Sequence, residues 1–211
     1  MISLYKVLEE VIDVTQEYQE LVDDTVDQNV GYHVGGIKTP SESLKSRGWF
    51  FGNKIGYLGT GFYFFGKLED AENLQKQIKG PIYQINLDSY KLYKPSNSLK
   101  FYKDIKQITQ LLGSVDKQFI QTRELIESLV EIADIFHNEY GIGISKKELV
   151  KILYKFILDV QNKTEGPLLT NRLLTPLGFD GIDNRGNNKL DHYGVGSVLF
   201  NLDPSTAKQI A

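Results

Sequence analysis

Apolar residues recur along this chain with two different periods, and the switches between them lay out its elements. Over residues 3–27, Leu4, Val7, Leu8, Val11, Val14, Tyr18, Leu21 and Val22 fall at helical spacing with acids on the other face, which predicts one amphipathic helix. Such a helix is either packed on the domain or a detachable acidic element that covers a basic site or binds a partner. Val30-Gly31-Tyr32-His33-Val34-Gly35-Gly36 predicts a short strand opening into a glycine turn. Residues 37–48 are polar around Thr39-Pro40-Ser41 and predict a loop, and Trp49-Phe50-Phe51 predicts a short strand or an aromatic lid. Gly59-Thr60-Gly61-Phe62-Tyr63-Phe64-Phe65 then reads as a turn feeding an aromatic strand. Lys67 to Lys79 returns to the helical period, with Leu68, Ala71, Leu74 and Ile78 on one face. Pro81 to Leu87 alternates as a half-buried strand, continued by Tyr90, Leu92 and Tyr93 and ended by Pro95-Ser96-Asn97.

From 101 to 162 the pattern is helical throughout. Ile105, Ile108, Leu111 and Leu112 mark one helix, and Leu125, Leu129, Ile132 and Phe136 a second that closes at Gly141 and Gly143. Ser145 and Glu148 form a capping box that opens a third, carrying Leu149, Leu153, Phe156 and Val160 inward. Strand signals resume with Gly178-Phe179-Asp180-Gly181-Ile182 and with Val198-Leu199-Phe200-Asn201 before Pro204. The expected fold is α+β: an N-terminal helix over 1–28, then a domain over 29–211 whose sheet is interrupted by a helical insertion at 101–162. That block serves packing or, functionally, recognition of an acceptor. His137, near a helix end, is expected to be structural.

Composition narrows the chemistry. At 211 residues, 41% hydrophobic and 24% charged, the chain has the balance of an ordinary globular domain. It has no cysteine, so disulfides, cysteine nucleophiles and thiolate metal sites are excluded. His33, His137 and His192 are too scattered for a metal cluster of recognisable spacing, so no metal is expected. The lack of a long apolar run predicts no membrane span and a cytoplasmic protein. The net charge of −3 conceals an asymmetry: residues 1–28 hold eight acids and one base, and the remainder carries 23 bases and 19 acids, a surplus of +4. A mildly basic body suits an anionic substrate or nucleic acid.

Two stretches carry candidate chemistry. Glycines spaced by one residue, Gly59 and Gly61, let the backbone turn and approach a ligand closely. Tyr63 inside the aromatic run has a polar tip that needs a partner. By composition alone these are a glycine turn feeding a core strand, and His33 is a histidine satisfied at a strand end.

The order of these motifs resembles the ADP-ribosyltransferases, in the branch that includes diphtheria toxin and the poly(ADP-ribose) polymerases. Gly59 to Phe64 is similar to that family's Gly-x-Gly-x-Tyr-Phe strand. Gly178 to Ile182 followed by Val198 to Pro204 resembles the closing strands of phage and plasmid members, which read Gly-Tyr-Asp-Gly-Ile and Glu-Tyr-Val-Val-Phe-x-Pro. The resemblance covers about residues 30–95 and 170–208. It implies a split, mostly antiparallel sheet and cleavage of NAD+, used as a co-substrate, with transfer of one ADP-ribose to a nucleic acid or protein. It also implies a toxin, phage-defence or phage-encoded effector, in some cases held by an antitoxin or inhibitor.

The resemblance assigns roles residue by residue. His33 would hydrogen-bond the ribose beside nicotinamide, and Tyr63 would stack on the ring with Gly61 nearby. Family members carry Gly after the histidine to clamp the carboxamide; here Val34 follows, and Gly35 takes the role. The second ring-stacking tyrosine of the polymerases corresponds to Leu74. The family glutamate falls at Gly196, which removes chain elongation and leaves single transfer. Asp191, ahead of Tyr193 and Ser197 among nearby polar groups, is the carboxylate expected to orient the acceptor.

Overall fold

The computed structural model describes residues 29–36, 58–59, 61–164, 168–185 and 197–211. The expected helix over 3–27, the 37–48 loop and Trp49-Phe50-Phe51 lie outside the described residues, as do Asp191, His192, Tyr193 and Gly196. In chain order the elements are β1 (Val30–Val34), β2 (Phe62–Phe64), α1 (Leu68–Ile78), β3 (Ile82–Asn86), β4 (Leu92–Tyr93), α2 (Ser98–Gly113), α3 (Arg123–Asn138), α4 (Lys146–Gln161), α5 (Leu169–Leu174), β5 (Gly181–Ile182), β6 (Ser197–Leu199) and β7 (Ala207–Gln209). The fold is α+β, with two small sheets that are mostly antiparallel.

One sheet has the order β1-β3-β7 and the other β2-β6-β5-β4. Among the described residues only β4 and β5 run parallel. Among the described residues a single backbone bridge joins the sheets: the Tyr32 and Phe65 amides donate to each other's carbonyls at 2.9 and 2.8 Å. A parallel pair cannot be closed by a hairpin and needs a long crossover. The helical block is that crossover, entering after β4 and returning through α5 to β5.

Local sequence explains where the helices begin and end. In α1, Glu69 and Asp70 lie at the N-terminal end and Lys76 in the last turn, both favourable to the helix dipole. Lys79 ends it in the left-handed region at φ 51°, its amide donating to the Gln75 carbonyl. Helix α2 starts earlier than its apolar run suggests, because Asn97 accepts from the Lys100 amide at 2.8 Å and caps it. At α4, Ser145 accepts from the Glu148 amide at 3.3 Å, while the Glu148 carboxylate turns to Lys151. Half of the expected capping box is therefore made. Helix α5 and strand β7 are additions to the sequence reading.

The main core lies between this block and one face of the four-stranded sheet. Phe101, Ile105, Leu129, Ile132, Leu153 and Phe156 pack with Ile182 and Val198 of the sheet, and Tyr63 lies partly buried against them. Neighbours on a strand face opposite sides, so Phe62 and Phe64 point the other way, into a smaller cluster with Ile85, Leu87, Leu199 and Leu202. Helix α1 covers a third cluster of Val34, Ala71 and Ile82, against which Tyr32, Phe65 and Leu74 pack. Inside the block, Tyr140 donates to the buried Asp104 carboxylate, and Tyr93 donates to the Tyr140 carbonyl at 2.7 Å. Burial pushes the Tyr93 hydroxyl up to about 12.

Two glycines set the spacing around β6. A Cβ on Gly61 would stand 1.9 Å from the Leu199 carbonyl oxygen, and one on Gly181 would stand 2.1 Å from that of Val198. Neither obstacle is a side chain that can swing aside. Gly61→Ala is expected to lose about 3 kcal/mol or more of stability in denaturant unfolding. Gly113→Ala, at the end of α2 with nothing within 4 Å of the added carbon, is the matched control. It is expected to gain up to about 1 kcal/mol.

Candidate functional site

The glycine-aromatic stretch closes on itself. Gly59 sits at φ +131°, a conformation side chains rarely adopt, and a Cβ there would meet Phe200, Asn171 and Thr170 at 2.7 to 3.0 Å. The Tyr63 hydroxyl donates to the Gly59 carbonyl at 2.8 Å, which supplies the partner its polar tip needs. The turn and the strand are therefore one unit, with the half-buried Tyr63 ring held at both ends.

His33 reaches this unit across the seam between the sheets. Its Nδ1 lies 2.7 Å from the Tyr63 carbonyl oxygen, which can only accept, so Nδ1 carries the proton. The imidazole also meets Phe62 edge-on, with ring centroids 5.9 Å apart. His33 thus stands on the Phe62 side of β2, joined to Tyr63 through the backbone rather than ring to ring. A Cβ on Gly35 would lie 3.8 Å from His33 Nε2, so the three positions are neighbours.

The remaining expected positions separate from these. The Gly35 amide donates to the Pro81 carbonyl at 2.9 Å, so a hold on a carboxamide would have to come from the Gly35 carbonyl. The bare side of Gly61 faces the Leu199 carbonyl, so that glycine serves the approach of β6 rather than of a ligand. Leu74 packs in the α1 cluster with Tyr32 and Phe65, whereas Tyr63 belongs to the main core. Asp191 lies outside the described residues. His137 Nδ1 donates to the Ile142 carbonyl at 3.3 Å, as its position at a helix end suggests.

The second motif is built by its own residue types. Gly178 takes φ +74° after α5. Phe179 lies edge-on to Tyr93 at 5.4 Å, under the Lys91 ammonium at 4.5 Å. The Asp180 carboxylate accepts from the Lys91 amide at 2.8 Å, which fixes the start of β4. Just beyond Ile182 comes a polar group that the sequence reading passed over. Arg185 bonds both oxygens of Asp183 at 2.9 Å, donates to the Val30 carbonyl at 3.0 Å, and lies over the Phe64 ring. Ser197 Oγ accepts from the Asn184 amide at 2.8 Å and is itself buried. The visible signal was Asp-Asn-Arg at the end of a short apolar strand, where three polar residues in a row need partners.

Among the described residues no group of three His, Asp or Glu is placed to hold a metal ion, and no helix is long and apolar enough to cross a membrane. Comparison with family models, with curated proteins and with solved structures finds no match.

Burial alone would raise the Asp183 carboxyl, but its hydrogen bonds and charge contact with Arg185 outweigh this and hold it below the usual carboxylate range. A carboxyl lowered on folding stabilises above its unfolded pKa and loses that contribution as pH falls through its folded value. Asp183→Asn is expected to cost about 3 kcal/mol at neutral pH, because it takes the Asp183 charge away from the buried Arg185 guanidinium. The gap from the parent should be complete above pH ~4 and narrow below it, as followed by unfolding at stepped pH. Tyr63→Phe, which removes only the hydroxyl bound to Gly59, is expected to lose about 1 kcal/mol in the same measurement.

Proposed function

We propose that this chain is an NAD+-dependent mono-ADP-ribosyltransferase that modifies a macromolecule, of the toxin, phage-defence or phage-effector kind. The observation that carries the reading is the 2.7 Å contact from His33 Nδ1 to the Tyr63 carbonyl. Two residues thirty positions apart, singled out by the resemblance for the same ligand, are one hydrogen bond from each other where the two sheets meet. The finer fold assignment, a split sheet of the ADP-ribosyltransferase type, belongs to this same reading.

In this scheme Tyr63 offers its ring to nicotinamide, and its bond to Gly59 fixes the orientation of that ring before ligand arrives. With the proton on Nδ1, the neutral His33 ring carries its lone pair at Nε2, the polarity suited to accept from a ribose hydroxyl. In this reading the Gly35 carbonyl takes the carboxamide NH2. The nicotinamide–ribose bond breaks, nicotinamide leaves neutral with the bonding electrons, and an acceptor nucleophile bonds the ribose carbon and gives up its proton. The positive charge that nicotinamide carries in NAD+ makes it a good leaving group, so exclusion of water and charge stabilisation do most of what is asked of the protein. Asp191 is the proposed base that orients the acceptor. The surplus of cations outside residues 1–28 favours RNA or DNA over protein as acceptor.

The test uses NAD+ labelled on its adenylate side, incubated with the protein and a cell lysate, followed by protease, RNase or DNase. The expected result is macromolecular label released by one nuclease, reduced at least about 100-fold by either Tyr63→Ala or His33→Ala. NAD+ left intact would replace the reading with a silent NAD-binding or protein-binding module, the alternative that Leu74 and Gly196 favour. Free nicotinamide without label would make the protein a hydrolase.

A further inference from the structure

Helix α2 turns a cationic face outward. Ile105, Ile108 and Leu112 lie in the main core, and on the opposite side Lys103, Lys106 and Gln110 form one exposed stripe at helical spacing. The half-buried Tyr102 and Leu111 border that stripe. Asp104, the only acid in α2, is buried and is held by Tyr140 and Lys100. The outer face of the helix therefore presents positive charge and no carboxylate of its own.

One stretch of the chain has the opposite character. Residues 1–28 hold eight acids and one base. Beside the apolar stripe expected over 3–27, Glu10, Glu17 and Asp24 recur every seven residues and so fall along one of its edges. The connection leads to α2. Asn29, where this stretch joins the described fold, accepts from the Leu87 amide at 2.9 Å, and the Val30 carbonyl accepts from Arg185, which holds Asp183. The Asp183 amide in turn donates to the Tyr93 carbonyl at 2.9 Å, shortly before Asn97 caps α2. These contacts set the start of β1 at the foot of α2. A helix over 3–27 is about 37 Å long and α2 about 24 Å, so one that turns back from residue 28 covers the whole stripe.

From charge, length and point of attachment we infer that residues 3–27 dock on the outer face of α2, antiparallel to it. The apolar stripe of the segment lies on the Tyr102 ring and on the aliphatic stems of Lys103 and Lys106. The two ammonium groups then meet the edge that carries Glu10, Glu17 and Asp24, where opposite charges at close range favour this face over the acidic flank of α3 at Glu127 and Glu131. The helical block thereby carries its own anionic cover, drawn from the one part of the chain whose charge opposes the rest.

The experiment mixes equal amounts of light and heavy-isotope-labelled full chain and treats them with a carbodiimide, which joins carboxylates to lysines in direct contact. Mapping of the linked peptides by mass spectrometry is expected to show acids of residues 9–27 joined to Lys103 or Lys106, light to light and heavy to heavy. Links only between light and heavy chains would assign the face to a second copy and overturn the inference. Links from residues 9–27 that miss both lysines would overturn it as well. Hydrogen exchange of the backbone amides of residues 3–27 gives an independent readout. Lys103→Glu with Lys106→Glu is expected to speed that exchange at least about tenfold, and adding Glu10→Lys, Glu17→Lys and Asp24→Lys to bring it back to the parent rate. Equal exchange in the parent and the double variant would overturn the docking. Neither readout uses NAD+, so the result is independent of the activity proposed above.

Discussion

The placement of strand β6 depends on two missing side chains. Its Val198 and Leu199 carbonyls lie so near Gly181 and Gly61 that any Cβ at either position would overlap backbone oxygen. Everything around the candidate site depends on that approach. It sets Tyr63 opposite Val198, it brings Ser197 to the Asn184 amide, and it lets the Phe200 ring fill the space above Gly59. Residues that read as an invitation to a ligand are first of all the condition for three strands to lie side by side.

The seam between the sheets is held differently. One backbone bridge joins Tyr32 to Phe65, and two side chains reinforce it, His33 to the Tyr63 carbonyl and Arg185 to the Val30 carbonyl. Arg185 is costly to bury, and Asp183 makes it tolerable by matching its charge in a two-point contact. The histidine is therefore both a candidate ligand group and part of the joint between the sheets. Loss of its imidazole would act on both, which is why activity in a His33 variant has to be read beside its stability.

Much of the architecture was legible in the sequence because it is periodic. Lys67–Lys79, Pro81–Leu87 and the three helices of the block announced themselves by apolar spacing, and the observed elements lie within or close around those spans. What escaped had no period to show. Helix α5 has six residues, too few for Leu169, Leu173 and Leu174 to establish a period, and β7 is an edge strand of three, mostly exposed. For the site, nearness was legible and orientation was not. His33 and Tyr63 come together, but no pattern in the chain says that they meet through a backbone carbonyl, or that Leu74 packs from α1 onto the cluster of Val34 and Ile82 instead. The motif Gly-Phe-Asp-Gly-Ile was visible as a likeness, whereas the separate physical reason for each of its residues emerged only from its contacts with Lys91, Tyr93 and β6.

The parallel pairing of β4 with β5 also governs the order in which the molecule can assemble. Lys91 and Asp180, which tie the two strands together, are 89 residues apart in the chain. Bringing such distant segments together carries a loop-closure cost that local contacts do not. Helices α2 to α4 are built from contacts near in sequence, so they can form while the sheet is still open and shorten the effective gap. On that account the half of the sheet bearing Tyr63 is completed late, after the helical block has drawn β5 and β6 into place. Until then the aromatic strand has its neighbours in β1 and β3 and lacks its partner on the β6 edge.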